Sequence, residues 1–327
     1  MKRFQLYNMH CIENGVTDLE KEYDYLIMAG GSDYRAYELL RKCLKYNVTS
    51  RKILFFDFEE RKTDLAREDI KAYNEYKNLG FQTEPLKCYI TDPSSCLKSL
   101  SESGIHFAKN DKIAIDISCF TKPYFFSILM YLKEQAKLSS ITVFYTEPMS
   151  YIFSKGSYQS YHSTSGTLEV IEIPGYPGSD IGTTKKVLII LLGFDSELSS
   201  LICDEVSPDE IIIVNGFPAY SPKFKDISII NNERLLSNFG SPMSIKYAKA
   251  NNPFETFNLL EDLKRSQPNS FFNIAPLGTK PMALGACLLA ISYQSIRVVY
   301  PLPEKYTKKT TQKCYHSWAY TIPLTSE

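Results

Sequence analysis

The chain has 327 residues, of which 44% are hydrophobic and 23% are charged. This length and composition are sufficient for two globular domains of about 150 residues each. The 37 Lys and Arg residues balance the 37 Asp and Glu residues, so the net charge gives no reason to expect a nucleic-acid duplex or an anionic membrane as a partner.

The eight cysteines are scattered, and none forms a C-x-x-C pair. This pattern indicates free thiols in a reducing compartment. Because no cluster of Cys and His residues occurs along the sequence, we expect no metal site and no cofactor. The N-terminus lacks a signal-peptide pattern, and apolar runs such as 187–192 are too short to cross a bilayer. We therefore expect a cytoplasmic protein.

In the first half of the chain, predicted strands alternate with predicted helices. The strands are continuous apolar runs, which is typical of a mainly parallel sheet buried on both faces by helices. One helix is predicted to begin where Pro93 follows Asp92, because Asp caps helices and Pro is favoured in the first turn. The predicted strands are 25–29, 52–56, a short strand around 88–89, 113–117 and 141–145.

The middle segment, 153–185, is rich in Gly, Ser, Thr and Tyr. It contains one plausible strand, 168–173, which Pro174 and Gly175 end. We interpret this segment as a linker that carries a hairpin arm, and not as a third domain.

The second half repeats the pattern of the first in the same order. Strands are predicted at 187–192, 210–214, around 247–248 and at 296–300, and the segment 271–281 repeats the segment 113–123. Such ordered matches indicate an internal duplication. The sequence predicts two tandem Rossmann-like α/β units related by a pseudo-two-fold axis. The first unit is 1–152, and the second is 186–327 with its Lys-rich tail.

Two loops in each unit are candidates for ligand binding. In doubly wound sheets, ligands bind beyond the carboxyl ends of the strands, where loops lead into helix N-termini. One loop is Gly31-x-Asp33, with Gly193-x-Asp195 as its copy, and the other ends in Thr-Lys-Pro in both units. The candidate ligand-binding residues are Gly31, Asp33, Asp116, Ser118, Thr121, Lys122, Gly193, Asp195, Asn273, Gly278, Thr279 and Lys280.

The Thr-Lys-Pro loop suits an anion, because a helix N-terminus carries about half a positive charge and the Lys adds a full one. Ordinary helix capping by Ser and Thr beside a solvated Lys is the alternative. The Gly-x-Asp loop matches neither the dinucleotide-binding fingerprint nor the phosphate-binding P-loop. Its Asp either caps the following helix or binds a ribose or base edge.

The sequence indicates no catalytic residues. The four His residues share no motif, and no nucleophile is paired with a base. The candidate loops offer Lys, Thr, Ser, Asn and Asp, whereas general acid–base catalysis needs a group whose pKa is near neutrality.

The segment 273–286, with Gly278-Thr279-Lys280 followed by Pro281 and Met282, resembles a loop of the CRISPR-associated Rossmann-fold (CARF) family, and the duplication resembles the related SAVED architecture. The resemblance implies that Asn273, Gly278, Thr279 and Lys280 contact the phosphate or ribose of a cyclic oligonucleotide. It gives Asp116, Ser118, Thr121 and Lys122 the same role as their copies. The first unit departs from the family pattern, because Phe120 stands before Thr-Lys in place of Gly.

The resemblance therefore implies a sensor of a nucleotide second messenger, bound in a cleft between the units, in prokaryotic antiviral defence. Members of this family often carry a fused effector domain, and the two predicted units leave no residues for one. We therefore expect the protein to act through a separate effector or defence-complex protein. Two alternatives stay open. One is a ring nuclease or phosphodiesterase that degrades such a messenger, and the other is a non-catalytic adaptor subunit.

Overall fold

A computed structural model describes residues 9–15, 19–30, 35–58, 74, 78, 82–152, 164–238, 245–306 and 311–324. Contacts divide the chain into two compact units. One contains Met1–Ile152 and Lys308–Glu327, and the other contains Phe153–Thr307. Within the described ranges, no helix has the length and apolarity that a membrane span requires.

The first unit is a sheet with helices connecting its parallel strands. Its strands are β1 (Met9–Cys11), β2 (Glu22–Ala29), β3 (Thr49–Phe58), β4 (Gln82–Cys88), β5 (Ile113–Asp116), β6 (Ser140–Tyr151) and β13 (Thr311–Pro323). Its helices are a 3₁₀ turn (Ile12–Asn14), α1 (Arg35–Lys45), α2 (Ser95–Glu102) and α3 (Lys122–Glu134). The strand order is β1-β13-β6-β5-β2-β3-β4.

The second unit has the same plan. Its strands are β7 (Thr164–Pro177), β8 (Lys185–Leu191), β9 (Glu210–Gly216), β10 (Ile245–Ala248), β11 (Ser270–Pro276) and β12 (Arg297–Tyr306). Its helices are α4 (Ser196–Val206), α5 (Pro222–Asn231), α6 (Glu233–Asn238), α7 (Pro253–Ser266) and α8 (Lys280–Ser292). The strand order is β10-β9-β8-β11-β12-β7.

The parallel strands of both units follow one topology. In chain order within each unit, they are arranged third, second, first, fourth and fifth: β4-β3-β2-β5-β6 and β10-β9-β8-β11-β12. This is the doubly wound order, whose switch point lies between the first and fourth strands. The predicted fold class, two Rossmann-like units with mainly parallel sheets, is confirmed.

The structure divides the chain differently from the predicted boundaries. Strand β7, predicted as part of a linker, pairs antiparallel with β12 in the second unit. Strand β13, in the tail assigned to the second unit, pairs antiparallel with β6 in the first unit. Both strands satisfy backbone groups along edges that would otherwise be unpaired. The strand that follows β6 in the chain, β7, therefore belongs to the second unit. The strand that follows β12, β13, belongs to the first unit.

The start of α7 follows the capping rules, and the predicted start of α2 is shifted. Asn252 caps α7, since its Oδ1 accepts hydrogen bonds from the backbone N–H groups of Phe254 at 3.0 Å and Glu255 at 3.3 Å. In the first unit, α2 begins at Ser95 and not at the predicted Pro93. The Asp92 carboxylate there accepts from the N–H of Ser94 at 3.0 Å and forms a turn before the helix.

Candidate ligand-binding site

The two candidate loops of the second unit lie side by side at the switch point. The last residues of β8 and β11, Leu191 and Pro276, are directly paired in the parallel sheet. The loop with Gly193 therefore leaves the sheet next to the loop with Gly278. This is the edge at which doubly wound sheets bind ligands.

The glycines of these two loops have different surroundings. A Cβ atom on Gly193 would lie 2.5 Å from the carbonyl oxygen of Leu277, so this glycine is needed for the close approach of one loop to the other. A Cβ on Gly278 would meet its nearest neighbours at 3.4 Å, among them the flexible Met282 sulfur, which is ordinary contact. Packing within the protein therefore requires glycine at 193 but not at 278.

Thr279 is the N-cap of α8. Its Oγ1 accepts a hydrogen bond from the N–H of Met282 at 3.4 Å and donates one to the carbonyl oxygen of Ala250. Pro281 occupies the first turn, and the half-buried Lys280 is the first residue of the helix. The capping alternative thus describes the Thr279 side chain, while Lys280 stands at the positive end of the helix dipole.

Asp195 stands immediately before α4, and its side chain makes no capping hydrogen bond with the first turn of that helix. The loop around Asp195 is held by two side chains at the end of α5 and directly after it. The Nδ2 group of Asn232 donates to the carbonyl oxygen of Gly193 at 3.0 Å, and that of Asn231 donates to the carbonyl oxygen of Phe194 at 3.0 Å. Two Asn side chains outside the predicted motif therefore fix the Gly-x-Asp loop.

Strand register shows which residues of the two units are equivalent. Ile115 pairs with Ile27, and Ile274 pairs with Ile189. Ile27 and Ile189 each lie four residues before the glycine of a Gly-x-Asp motif, so these two residues are equivalent. Their strand partners, Ile115 and Ile274, are therefore equivalent as well. The next residue in the first unit, Asp116, therefore corresponds to an alanine in the second unit.

Asn273 lies two residues before that alanine, within β11. It pairs with Leu188 on one side and Arg297 on the other, and its side chain is fully buried. Its Nδ2 donates to the carbonyl oxygen of Phe271 at 3.5 Å, and its Oδ1 has no hydrogen-bond partner within the described part of the chain. Register therefore corrects the prediction that Asn273 is the copy of Asp116, because Lys122 lies seven residues after Ile115 whereas Lys280 lies six residues after Ile274.

In the first unit, Asp116 and Ser118 bond to each other. The carboxylate of Asp116 accepts from the backbone N–H of Ser118 at 2.9 Å and from its hydroxyl at 2.5 Å. The Ser118 hydroxyl in turn accepts from the N–H of Thr146 in β6 at 2.8 Å. Both side chains are buried. These contacts close the loop on itself and attach it to the sheet.

A buried chain of polar side chains continues from this loop. The Thr146 and Ser317 hydroxyls are 2.7 Å apart, and the Lys42 ammonium donates to the Ser317 hydroxyl at 2.9 Å. Asp116, Ser118, Thr146, Ser317 and Lys42 thus form one hydrogen-bonded series that crosses β6 and β13 and ends at α1. This series leaves no recognisable pattern in the sequence, since its members are far apart along the chain.

Lys122 is the first residue of α3 and follows the N-cap residue Thr121. Burial lowers the pKa of its ammonium to about 8. The Thr121 side chain makes no capping bond, and its buried Oγ1 has no hydrogen-bond partner within the ranges the structure describes. Phe120 is fully buried and packs edge to face against Phe56, with ring centroids 5.4 Å apart. The first-unit loop therefore differs from its copy in two ways. Its Thr makes no capping hydrogen bond, and a buried phenylalanine stands where the second unit has Gly278.

Gly31 and Asp33, the remaining predicted site residues, lie outside the described residues. Their arrangement in the first unit therefore stays a prediction from the sequence.

No protein-family model matches this chain, and no curated protein sequence matches it either. Its fold is similar to a solved structure described as a Type III CRISPR defence DNA nuclease activated by cyclic oligoadenylate. The TM-score is 0.54 and the sequence identity 11%, with 84% of this chain and 65% of that chain covered. This likeness shows a shared fold. The match spans less than two thirds of the nuclease chain.

The arrangement in the second unit can hold an anion. A helix N-terminus, the Lys280 side chain and a glycine whose added Cβ would make only ordinary contacts occur within three consecutive residues, 278–280. Backbone N–H groups at such a helix start attract phosphate without any base or nucleophile being present. The first unit supplies an ammonium of lowered pKa at the corresponding helix start.

Proposed function

We propose that the chain is a sensor that binds a cyclic oligonucleotide second messenger and acts in antiviral defence. The observation that carries the proposal is the loop 278–280 at the switch point of the second sheet, where glycine is not required by internal packing. The similarity to a nuclease that cyclic oligoadenylate activates supports the choice of ligand class.

The ligand would be held by its phosphates. A phosphate beside Gly278 would accept hydrogen bonds from backbone N–H groups at the start of α8 and pair with Lys280. A Cβ at position 278 would occupy the space that this approach needs. Charge-assisted hydrogen bonds of this kind contribute about 1.5–3 kcal/mol each, which corresponds to roughly ten- to a hundred-fold in affinity.

The first-unit loop would contribute mainly through Lys122. An anion that approaches this ammonium would favour its charged form and raise its pKa again. Asp116 and Ser118, whose polar atoms bond to each other, would shape the loop rather than contact the ligand. We further propose that the protein works in the cytoplasm and that ligand binding changes its conformation toward a separate effector protein.

Calorimetric titration with cyclic oligoadenylates of several ring sizes tests the proposal, with linear oligoadenylates as the reference ligand. Lys280→Gln should weaken binding by roughly ten- to a hundred-fold. Lys185→Gln is a matched control, because it makes the same charge change at the amino end of β8. The loop 278–280 lies at the carboxyl ends of the strands, on the opposite side of the sheet. Equal affinity in the wild type and both variants would rule out the loop as the site.

A second candidate function is cleavage of the messenger. The position of Lys122 at the start of α3 favours it, because burial there lowers the pKa of the ammonium to about 8, which is close enough to neutrality for proton transfer. Incubation of each cyclic oligoadenylate with the purified chain, followed by product analysis, separates the two functions. Multiple turnover that Lys122→Met abolishes would establish the enzyme, whereas an intact ligand after binding would support the sensor.

A further inference from the structure

Three metal-binding side chains from opposite ends of the chain meet at the edge of the first sheet. The Cys11 sulfur lies 3.2 Å from Oε2 of Glu13, and Nδ1 of His316 lies 3.8 Å from the same oxygen. All three ligand atoms are within 4.8 Å of one another. We propose that Cys11, Glu13 and His316 form a binding site for a divalent transition-metal ion, with Zn²⁺ as the best match.

The backbone positions these side chains before any metal binds. Strand β1 pairs antiparallel with β13, with Cys11 opposite Trp318, so that the N-terminal and C-terminal strands run side by side. The 3₁₀ turn after β1 carries Glu13, and both of its carboxylate oxygens accept from the N–H of Ser317 at 3.2 Å. The carboxylate is therefore held beside His316, which directly precedes Ser317 in β13.

The separations suit a tetrahedral ion. Zinc binds sulfur at about 2.3 Å and imidazole nitrogen or carboxylate oxygen at about 2.0–2.2 Å. Tetrahedral angles then place neighbouring ligand atoms roughly 3.3–3.5 Å apart. The Cys11–Glu13 and Glu13–His316 separations, 3.2 and 3.8 Å, lie within a few tenths of an ångström of that range. The Cys11 sulfur and the His316 ligand atom are within 4.8 Å of each other, and side-chain rotation would adjust this third separation on metal binding.

The local charge also accommodates a cation. Lys42 donates to Oε1 of Glu13 and lies 3.7 Å from Glu38, so two carboxylates face one ammonium. A bound divalent ion would coordinate the Cys11 sulfur as the thiolate and release its proton to solvent.

The donor set selects among metals. A thiolate and an imidazole favour Zn²⁺ and other late transition metals, whereas Mg²⁺ and Ca²⁺ prefer sites made of oxygen ligands alone. Three protein ligands leave one position of a tetrahedral site for water or a further ligand. A metal there would fasten both terminal strands of the described chain to each other.

A single tryptophan makes the site directly observable. Trp318 is the only Trp in the sequence, and its ring centroid lies 6.2 Å from that of His316. Titration of the chelator-treated full chain with Zn²⁺ should change Trp318 fluorescence and saturate at one equivalent. Substitution by Co²⁺ should produce a thiolate-to-cobalt absorption band, and Zn²⁺ should raise the thermal midpoint.

Cys11→Ser and His316→Gln should each weaken Zn²⁺ binding by at least about ten-fold and remove the cobalt–thiolate band or its tetrahedral spectrum. Cys314→Ser is the control, because this thiol lies on β13 with His316 but is not one of the three clustered side chains. Metal-free wild type and variants should melt alike, which separates ligand loss from misfolding. Absence of the one-equivalent transition, or binding that both ligand variants leave unchanged, would overturn the proposal.

Discussion

Replacement of Gly278 by Ala should separate ligand binding from folding. The new Cβ would make contacts no closer than 3.4 Å, and the backbone at this position is not in the left-handed region. An Ala in a compatible conformation restricts the unfolded chain and stabilises by about 0.4–1 kcal/mol, which offsets the slight crowding against Met282. We therefore expect the free energy of unfolding to change by less than about 1 kcal/mol, with binding of a cyclic oligoadenylate weakened by roughly ten-fold or more.

Gly193→Ala provides the matched comparison, since it adds the same methyl group to the neighbouring loop. The Cβ would lie 2.5 Å from the Leu277 carbonyl oxygen, which is backbone and cannot rotate away. Overpacking of this kind costs about 1–3 kcal/mol. In a unit of about 150 residues, each kcal/mol lowers the thermal midpoint by roughly 2–4 °C.

Thermal unfolding and calorimetric titration of both variants, run in parallel, check this reasoning. Gly278→Ala should keep the wild-type midpoint and lose affinity, while Gly193→Ala should lose several degrees. A Gly278→Ala variant that binds as tightly as the wild type would refute the assignment of this space to a ligand. One that unfolds as early as Gly193→Ala would refute the packing argument.

Three further outcomes follow from individual contacts. Thr146→Val should lower the free energy of unfolding by about 1–3 kcal/mol in chemical denaturation, because it removes the hydroxyl that joins Ser317 and leaves a buried polar group short of a partner; an unchanged midpoint would contradict the buried series. Asn252→Ala should cost about 1 kcal/mol through loss of the α7 cap, and Asn252→Asp should restore it. Lys122 has a folded-state pKa of about 8, below its unfolded value, so stability should rise with pH between about 8 and 10.5, where only the unfolded chain keeps the proton. Lys122→Met should remove that rise and stabilise the protein at pH 7 by on the order of 2 kcal/mol, and a pH profile identical to that of the wild type would contradict the burial of the ammonium.

The central strands of both sheets could be predicted because each is a continuous apolar run between turn residues. Val187 to Leu191, for example, is fully buried, and its short length and β-branched residues favour a strand over a helix. The antiparallel strands β7 and β13 could not be assigned in the same way. A strand that joins an edge needs only backbone groups to pair with, and its sequence does not reveal which of two similar edges it joins.

The candidate site shows the same limit in more detail. The Thr-Lys-Pro motif located both loops at the ends of β5 and β11, but similarity alone could not reveal that the extra residue lies in the first unit. Only strand pairing shows that Asn273 lies inside the sheet and that Asp116 has no polar copy. The lowered pKa of Lys122 was equally hidden, since it depends on burial by residues distant in sequence.

The cluster of Cys11, Glu13 and His316 was missed for a different reason. The expectation of no metal site rested on spacing along the sequence, whereas these three side chains come together through the pairing of β1 with β13. Side chains that two terminal strands bring together leave no spacing motif. Their detection needs the three-dimensional arrangement.

An experimental structure of the chain with a bound cyclic oligoadenylate would test the proposed ligand site directly. We expect a ligand phosphate at the start of α8, within hydrogen-bond distance of Lys280 Nζ and of a backbone N–H in the loop 278–280. A ligand bound away from the switch point of the second sheet, with no contact to that loop, would contradict it.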